Sequence, residues 1–463
     1  MLFSSLEFLY LFLPLTLVLY FAAPRRARNF VLLLTSLVFY GVGEPSYILL
    51  MLVTIATDYG IGLAIMRWPR RARPLLWSAV AFHLAILGFF KYYNLFASLL
   101  PFLPTLSLRL PIGISFYTFQ ALSYVIDVYR GAVAAQRNAV SFGAYVTLFP
   151  QLVAGPIVRY ADVDASLSER RETVSAVASG VRRFCVGLAK KVLLANPAGA
   201  LFASLTHGGV PTSTLGAWGA LVAYAFQIYF DFSGYSDMAI GLGRLFGFEF
   251  PENFRYPYVA KSITEFWRRW HITLSTWFRE YVYIPLGGNR RGKGRTVFNL
   301  FVTWSLTGLW HGASWNFLAW GLYFFALLVL EKFVLGRVLD RLPRPFRHAY
   351  AIFLILIGWL IFTCDGTGGL GYREGVSFAA SLFGVGTPWL DGYARYELLR
   401  HLPLLCIMAL GCTPLPARAM RAISVRFGRT AAWLCAGLSL GSLLFSTAYL
   451  VNSGYNPFLY FRF

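Results

Sequence analysis

Two histidines sit directly after tryptophan in a 463-residue chain of which only 13% is charged. His271 lies in FWRRWHITLSTWFREYVYIPLGG, residues 266–288, and His311 in LTGLWHGASWNFLAWG, residues 306–321. Neutral imidazole is the common side chain that can take and return a proton near pH 7. Burial disfavours its charged form, which preserves a free base able to accept a hydroxyl proton. Gly312 after His311 leaves room for a substrate to come close. The two histidines are 40 residues apart, on separate apolar segments, and could meet at one site. Trp310, Ser314 and Asn316 flank His311 and are candidates to line a substrate path. The other histidines, His83, His207, His348 and His401, lack such settings and read as structural or loop residues.

Read as a helix, the stretch around His271 puts Trp267, Trp270, His271, Leu274, Trp277, Phe278 and Tyr281 on one stripe at three- and four-residue steps. Its arginines lie mostly elsewhere, which suits an amphipathic helix that lies flat at the interface or re-enters the membrane. That stretch alone also fits a histidine merely hydrogen-bonded in a core. A third polar cluster, Asp231, Ser233 and Asp237, interrupts the apolar FQIYFDFSGYSDMAIG; intramembrane acids are costly and point to function. They could line the path or satisfy the backbone of a broken helix. No GxSxG supports a nucleophile-elbow esterase. GGNRRGKG, residues 287–294, has Gly294 where a P-loop needs Ser or Thr, so a basic loop near anionic lipid is expected. Neither HExxH nor a suitably spaced third ligand suggests zinc, and no metal is expected. The five cysteines stand singly, without a CxxC pair, and read as core residues.

The elements that must hold these groups are hydrophobic. The chain is 57% hydrophobic with a mean hydropathy of +0.59, whereas soluble domains carry about 25% charged residues. A helix crossing ~30 Å of hydrocarbon needs about 20 mostly apolar residues. Clear spans are expected at 3–22, 30–42, 47–66 and 75–90, with others at 297–310, 315–330, 349–362, 402–411 and 431–450. Segments 110–128 and 140–158 carry Gly, Pro, Gln and Tyr, as broken helices do when buried in protein. Residues 174–205 hold Arg182, Arg183, Lys190 and Lys191 in an apolar frame and read as a helix lying partly in the cytoplasmic interface. The expected fold is an all-α polytopic membrane protein with about eleven crossings plus re-entrant and interfacial helices. Residues 1–463 form one membrane-embedded domain in this reading. The net charge of +21 falls in short loops, which argues against nucleic acid and for the positive-inside pattern. Arg25, Arg26 and Arg28 follow the first span, and Arg67, Arg70, Arg71 and Arg73 the third, so the N-terminus should face outward. Glu7 in place of a basic n-region marks the first helix as retained rather than cleaved.

Residues 226–241, ENFRYPYVAKSITEFWRRWHITLSTWFREYVYIPLGG (252–288) and GLWHGASWNFLAWG (308–321) resemble the membrane-bound O-acyltransferases, in particular their bacterial alginate O-acetyltransferase branch. PIGISFYTFQALSYVIDVYRG (111–131), LFPQLVAGPIVRY (148–160) and NPFLYFRF (456–463) fit the same branch. The resemblance implies a ring of tilted helices around a thin central tunnel, with funnels from both faces. It implies that His311, in WHG, is the essential residue and His271, in RWH, its companion. It also implies a cytoplasmic thioester donor such as acetyl-coenzyme A, no bound cofactor, an exported polysaccharide as final acceptor, and extracytoplasmic acetyltransferase partners at a bacterial inner membrane. Two alternatives stay open: D-alanyl transfer to teichoic acid, and a transporter or proton pathway that uses the same histidines and aspartates. No motif is recognised between about residues 336 and 429.

Overall fold

Apolar runs interrupted by glycine and proline give helices of very unequal length. The computed structural model describes every residue except 101, 208, 365–369, 453–457 and 460–463. Among the described residues the chain is helical and contains no strand. Of the terminal NPFLYFRF, only Phe458 and Leu459 fall within the described residues.

The helices group into two units. The first comprises Met1–Phe184, Tyr235–Glu252 and Leu450–Pro457; the second comprises Cys185–Gly234, Asn253–Tyr449 and Phe458–Phe463. Six helices among the described residues are long and apolar enough to cross a membrane: Pro45–Arg67, Pro69–Ala97, Val174–Thr206, Trp315–Arg341, Arg344–Thr363 and Arg429–Asn452. Gly392–Gly411 and Leu415–Phe427, bent by 68°, make a seventh if taken as one span. The remaining expected crossings are shorter or more polar. Phe8–Ala22 and Arg28–Gly43 fall short of a full crossing length. The expected segment at 140–158 breaks into Ala139–Thr147 and Phe149–Leu152, with Pro150 in the second piece.

Val174–Thr206 is a 33-residue helix long and apolar enough to cross a membrane. Two of its cations, Arg183 and Lys191, are met by acids within the protein. In the first unit Arg183 pairs with Asp237 at 2.6 Å and with Glu252 at 2.6 Å. In the second, Lys191 pairs with Asp231 at 2.6 Å. Glycines allow the helix to approach Thr214–Leu245 this closely. A Cβ on Gly241 would stand 2.6 Å from the Gly180 carbonyl oxygen, and one on Gly234 2.8 Å from that of Gly187. Close backbone approach through small residues is a common mode of helix association in lipid.

In the first unit, Pro45–Arg67 and Pro69–Ala97 enclose a buried hydrogen-bonded contact, His83 Nε2 to the Asp58 carboxyl at 3.0 Å. That pairing accounts for His83 as a structural residue.

Candidate active site

Glycine also fixes the helix hairpin that carries His311. Gly292–His311 and Trp315–Leu330 pack against one another through Gly308 and Gly321. A Cβ on Gly321 would lie 2.4 Å from the Trp304 carbonyl oxygen, and one on Gly308 2.3 Å from that of Phe317. Gly321→Val should therefore destabilise the protein by about 1–3 kcal/mol or more, read as a lower unfolding midpoint in detergent. Acyl-transfer activity should fall with it, because the hairpin positions His311.

His311 ends the first helix of this hairpin and is buried. Trp320 meets its ring edge-on at 4.9 Å and Phe362 at 5.4 Å, with Trp310 at 5.1 Å. Gly312 does not serve as the substrate opening expected from sequence. Its backbone is extended, and a Cβ there would strike the Phe317 ring at 2.3 Å, so the space is already filled by an aromatic side chain.

The helix expected around His271 is broken at the histidine itself. Ile263–Trp267 is one short helix and Ile272–Phe278 another, followed by a π-helical turn at Arg279–Tyr283. His271 caps the second with φ 42° and ψ 55°, the left-handed region that non-glycine residues seldom adopt. Strain of this kind persists only where the surroundings impose it. Here two anchors do so. Glu331 accepts hydrogen bonds from Ile263 N at 2.6 Å and Thr264 N at 2.8 Å, a buried carboxylate on a helix N-terminus. Asn253 accepts through its backbone oxygen from Ile272 N at 3.0 Å.

The side chain of Asn253 decides the chemistry of His271. Its Oδ1 lies 3.3 Å from Thr273 N, 2.9 Å from Thr273 Oγ1 and 3.1 Å from His271 Nδ1. A backbone N–H can only donate, so the shared atom is the amide oxygen, and His271 Nδ1 must carry a proton. Nε2 is then the basic nitrogen. Burial, and secondarily the charge of His311, hold the His271 imidazole well below its usual range. The Trp310 ring links the two buried histidines, 5.9 Å from the His271 ring and 5.1 Å from that of His311. Phe232 stands perpendicular to His271 at 4.6 Å, and Phe254 lies at 6.5 Å.

Asn253→Asp provides a test of that tautomer. A carboxylate against Nδ1 favours the imidazolium, so the acid limb of the rate against pH should move to higher pH. Wild-type rate should fall on the His271 account only well below pH 6.5. An unchanged profile in the variant would remove Asn253 from this role.

The other expected site residues are more dispersed. Asp231 is buried, with Oδ1 on Lys191 and Oδ2 accepting from Leu459 N at 2.8 Å. Ser233 is buried nearby in sequence, and the intervening Phe232 is what reaches His271. Asp237 belongs to the first unit and is paired there with Arg183. Asn316 spends its amide N–H on the Phe362 carbonyl at 3.3 Å, and Ser314 Oγ lies 3.1 Å from the Tyr372 hydroxyl. No group of three or more His, Cys, Asp or Glu side chains suited to a metal occurs among the described residues. Sequence reasoning missed Asn253 and Phe232. Both lie inside the quoted motifs, but an amide and a phenyl ring carry no spacing signal of their own.

A sequence model of the membrane-bound O-acyltransferase family matches residues 131–366, which include both histidines. This chain belongs to that family. It is an O-acyltransferase, and a bacterial membrane protein by its relatives and its helices. The probable alginate O-acetylase AlgI of Azotobacter vinelandii is 45% identical, covering 79% of this chain and 75% of its own. The protein of the same name from Pseudomonas putida is 39% identical over the whole of both chains. The peptidoglycan O-acetyltransferase of Helicobacter pylori is 36% identical, covering 70% of this chain and 68% of its own. In this acyltransferase, then, the aromatic-walled histidine pair lies within the stretch that the family model matches.

Proposed function

We propose that this acyltransferase moves acetyl groups from a cytoplasmic thioester, acetyl-coenzyme A, across the membrane for O-acetylation of an exported polysaccharide such as alginate. The observation that carries the reading is that buried His271 and His311 both contact the Trp310 ring, with Asn253 selecting the His271 tautomer. His311 acts as general base. It takes the proton of the acceptor hydroxyl as that oxygen attacks the thioester carbonyl; the C–S bond breaks, and the proton passes to the leaving thiolate. His271, with Nε2 free of a proton, orients the hydroxyl. Such direct transfer needs no acyl-enzyme, in keeping with the lack of a serine elbow. Trp310, Asp231, Ser233, Asp237, Ser314 and Asn316 contribute to the walls of the path. Donor and acceptor approach through a thin central tunnel from opposite faces of one catalytic domain, residues 1–463. The inner membrane holds the chain with its N-terminus outside, and an extracytoplasmic acetyltransferase partner completes the transfer. The AlgI relatives support the polysaccharide.

Purified protein offered acetyl-coenzyme A or a D-alanyl carrier protein tests the donor. Release of free coenzyme A in the presence of acceptor is expected. Consumption of the D-alanyl thioester alone would assign the chain to teichoic acid D-alanylation instead.

A further inference from the structure

The first unit contains an open cavity of about 750 Å³. Five arginines line it, Arg25, Arg26, Arg28, Arg170 and Arg171, against two carboxylates, Glu169 and Glu172. That volume is of the size that holds small ligands, and its lining has an excess of three positive charges. Its arginines are of two kinds. Arg170 is built into the wall: its side chain is 7% exposed, Nε donates to the Tyr20 hydroxyl at 2.8 Å, and Nη1 donates to Asn29 Oδ1 at 2.6 Å. Its guanidinium also lies 4.8 Å from the centre of the Phe248 ring. Arg28 Nη1 donates to Glu172 at 2.6 Å. Yet Arg170 Nη2 and Arg28 Nε are buried donors with no acceptor among the described residues. Leaving such N–H groups unanswered is costly, more so on charged groups. Arg25, Arg26 and Arg171 are exposed and make no ion pair among the described residues.

We infer that this cavity binds a phosphate-bearing anion. Guanidinium forks such as the five that line the cavity match phosphate oxygens in geometry and charge. The exposed arginines supply the attraction that draws a doubly charged group in, and Arg170 with Arg28 supplies the fixed contact. Arg25, Arg26 and Arg28 occupy the basic loop that the positive-inside pattern assigns to the cytoplasm. There, two sources carry such phosphates: the headgroup of an anionic lipid and the nucleotide part of a soluble donor. The nucleotide source rests on the acyl-donor reading above, whereas the lipid source does not.

The full chain, purified in detergent and in nanodiscs, tests this. Adenosine 3′,5′-bisphosphate is titrated by calorimetry, and phosphatidylglycerol retained from mixed nanodiscs is counted by native mass spectrometry against phosphatidylcholine. The comparison variant is R25Q/R26Q/R171Q, which leaves the Arg170–Tyr20–Glu172–Arg28 network intact. Wild type should bind one or both probes, more weakly as salt rises. The triple variant should bind at least about tenfold more weakly and with a flatter salt dependence. Binding of the bisphosphate assigns the site to a nucleotide, and selective retention of phosphatidylglycerol assigns it to lipid. Binding of neither probe by wild type, or equal binding by the triple variant, overturns the inference. His311→Ala should bind the probes as wild type does, which separates failure of this site from failure of the acyl-transfer reading.

Discussion

Replacing His311 by alanine should lower acyl transfer by about 10²–10⁴-fold, the usual contribution of a positioned general base. The acceptor polymer should still be made and exported at normal yield. His311 is buried against Trp320 and Phe362, so alanine also leaves a space in an aromatic cluster. His311→Gln fills most of that volume and retains a hydrogen-bonding end, but it cannot accept a proton near neutral pH. Both variants should therefore be inactive, while His311→Gln should unfold closer to the wild-type temperature. Activity lost in alanine and retained in glutamine would reduce His311 to a packing residue. The same pair of variants addresses the transporter alternative. Loss of polymer export with the acetyl content per sugar unchanged would overturn the enzymatic mechanism, because a base for acyl transfer has no reason to gate export.

The helical class and both histidines were legible from residue type and spacing, because hydropathy and the WH pairs are local signals. What surrounds the histidines was not. A three- and four-residue stripe from Trp267 to Tyr281 is compatible with one helix, and nothing in it announces that His271 takes φ 42° and splits the segment. The cause lies elsewhere in the chain, in Asn253, 18 residues upstream, and Glu331, 68 residues downstream of Ile263. Gly312 was read as space for substrate because a glycine's freedom is visible in sequence, whereas the Phe317 ring that occupies that space is not. The partners of the basic residues in Val174–Thr206 were likewise invisible, since local composition cannot reveal that acids 40 and 54 residues later pair with Lys191 and Arg183. The count of crossings suffered from the same limitation. Apolar runs are easy to find, but where Pro150 ends one helix and starts another depends on the packing around it.

Asp231→Asn should be the most damaging single change outside the histidine pair. The wild-type pair is almost fully buried, each side chain 4% exposed. Removing the carboxylate charge leaves the Lys191 ammonium inside without its counterion. Breaking a buried pair from one side costs about 3–5 kcal/mol, whereas replacing both partners by neutral groups is often tolerated. Asparagine still offers an oxygen to Leu459 N, so the loss would report the charge and not that hydrogen bond. Adding Lys191→Met should then restore the yield of folded protein and its unfolding midpoint, measured by tryptophan fluorescence in detergent. Activity separates the two roles open to Asp231. Both its oxygens are engaged, one by Lys191 and one by the Leu459 amide, and the next residue, Phe232, is the one that contacts His271, so an indirect, positioning role is expected for Asp231. The double variant should therefore transfer acyl groups within about tenfold of wild type, a shift of about 1.4 kcal/mol in the barrier at most. A double variant that folds normally but is as inactive as His311→Ala would instead make the Asp231 carboxylate a group that acts on substrate.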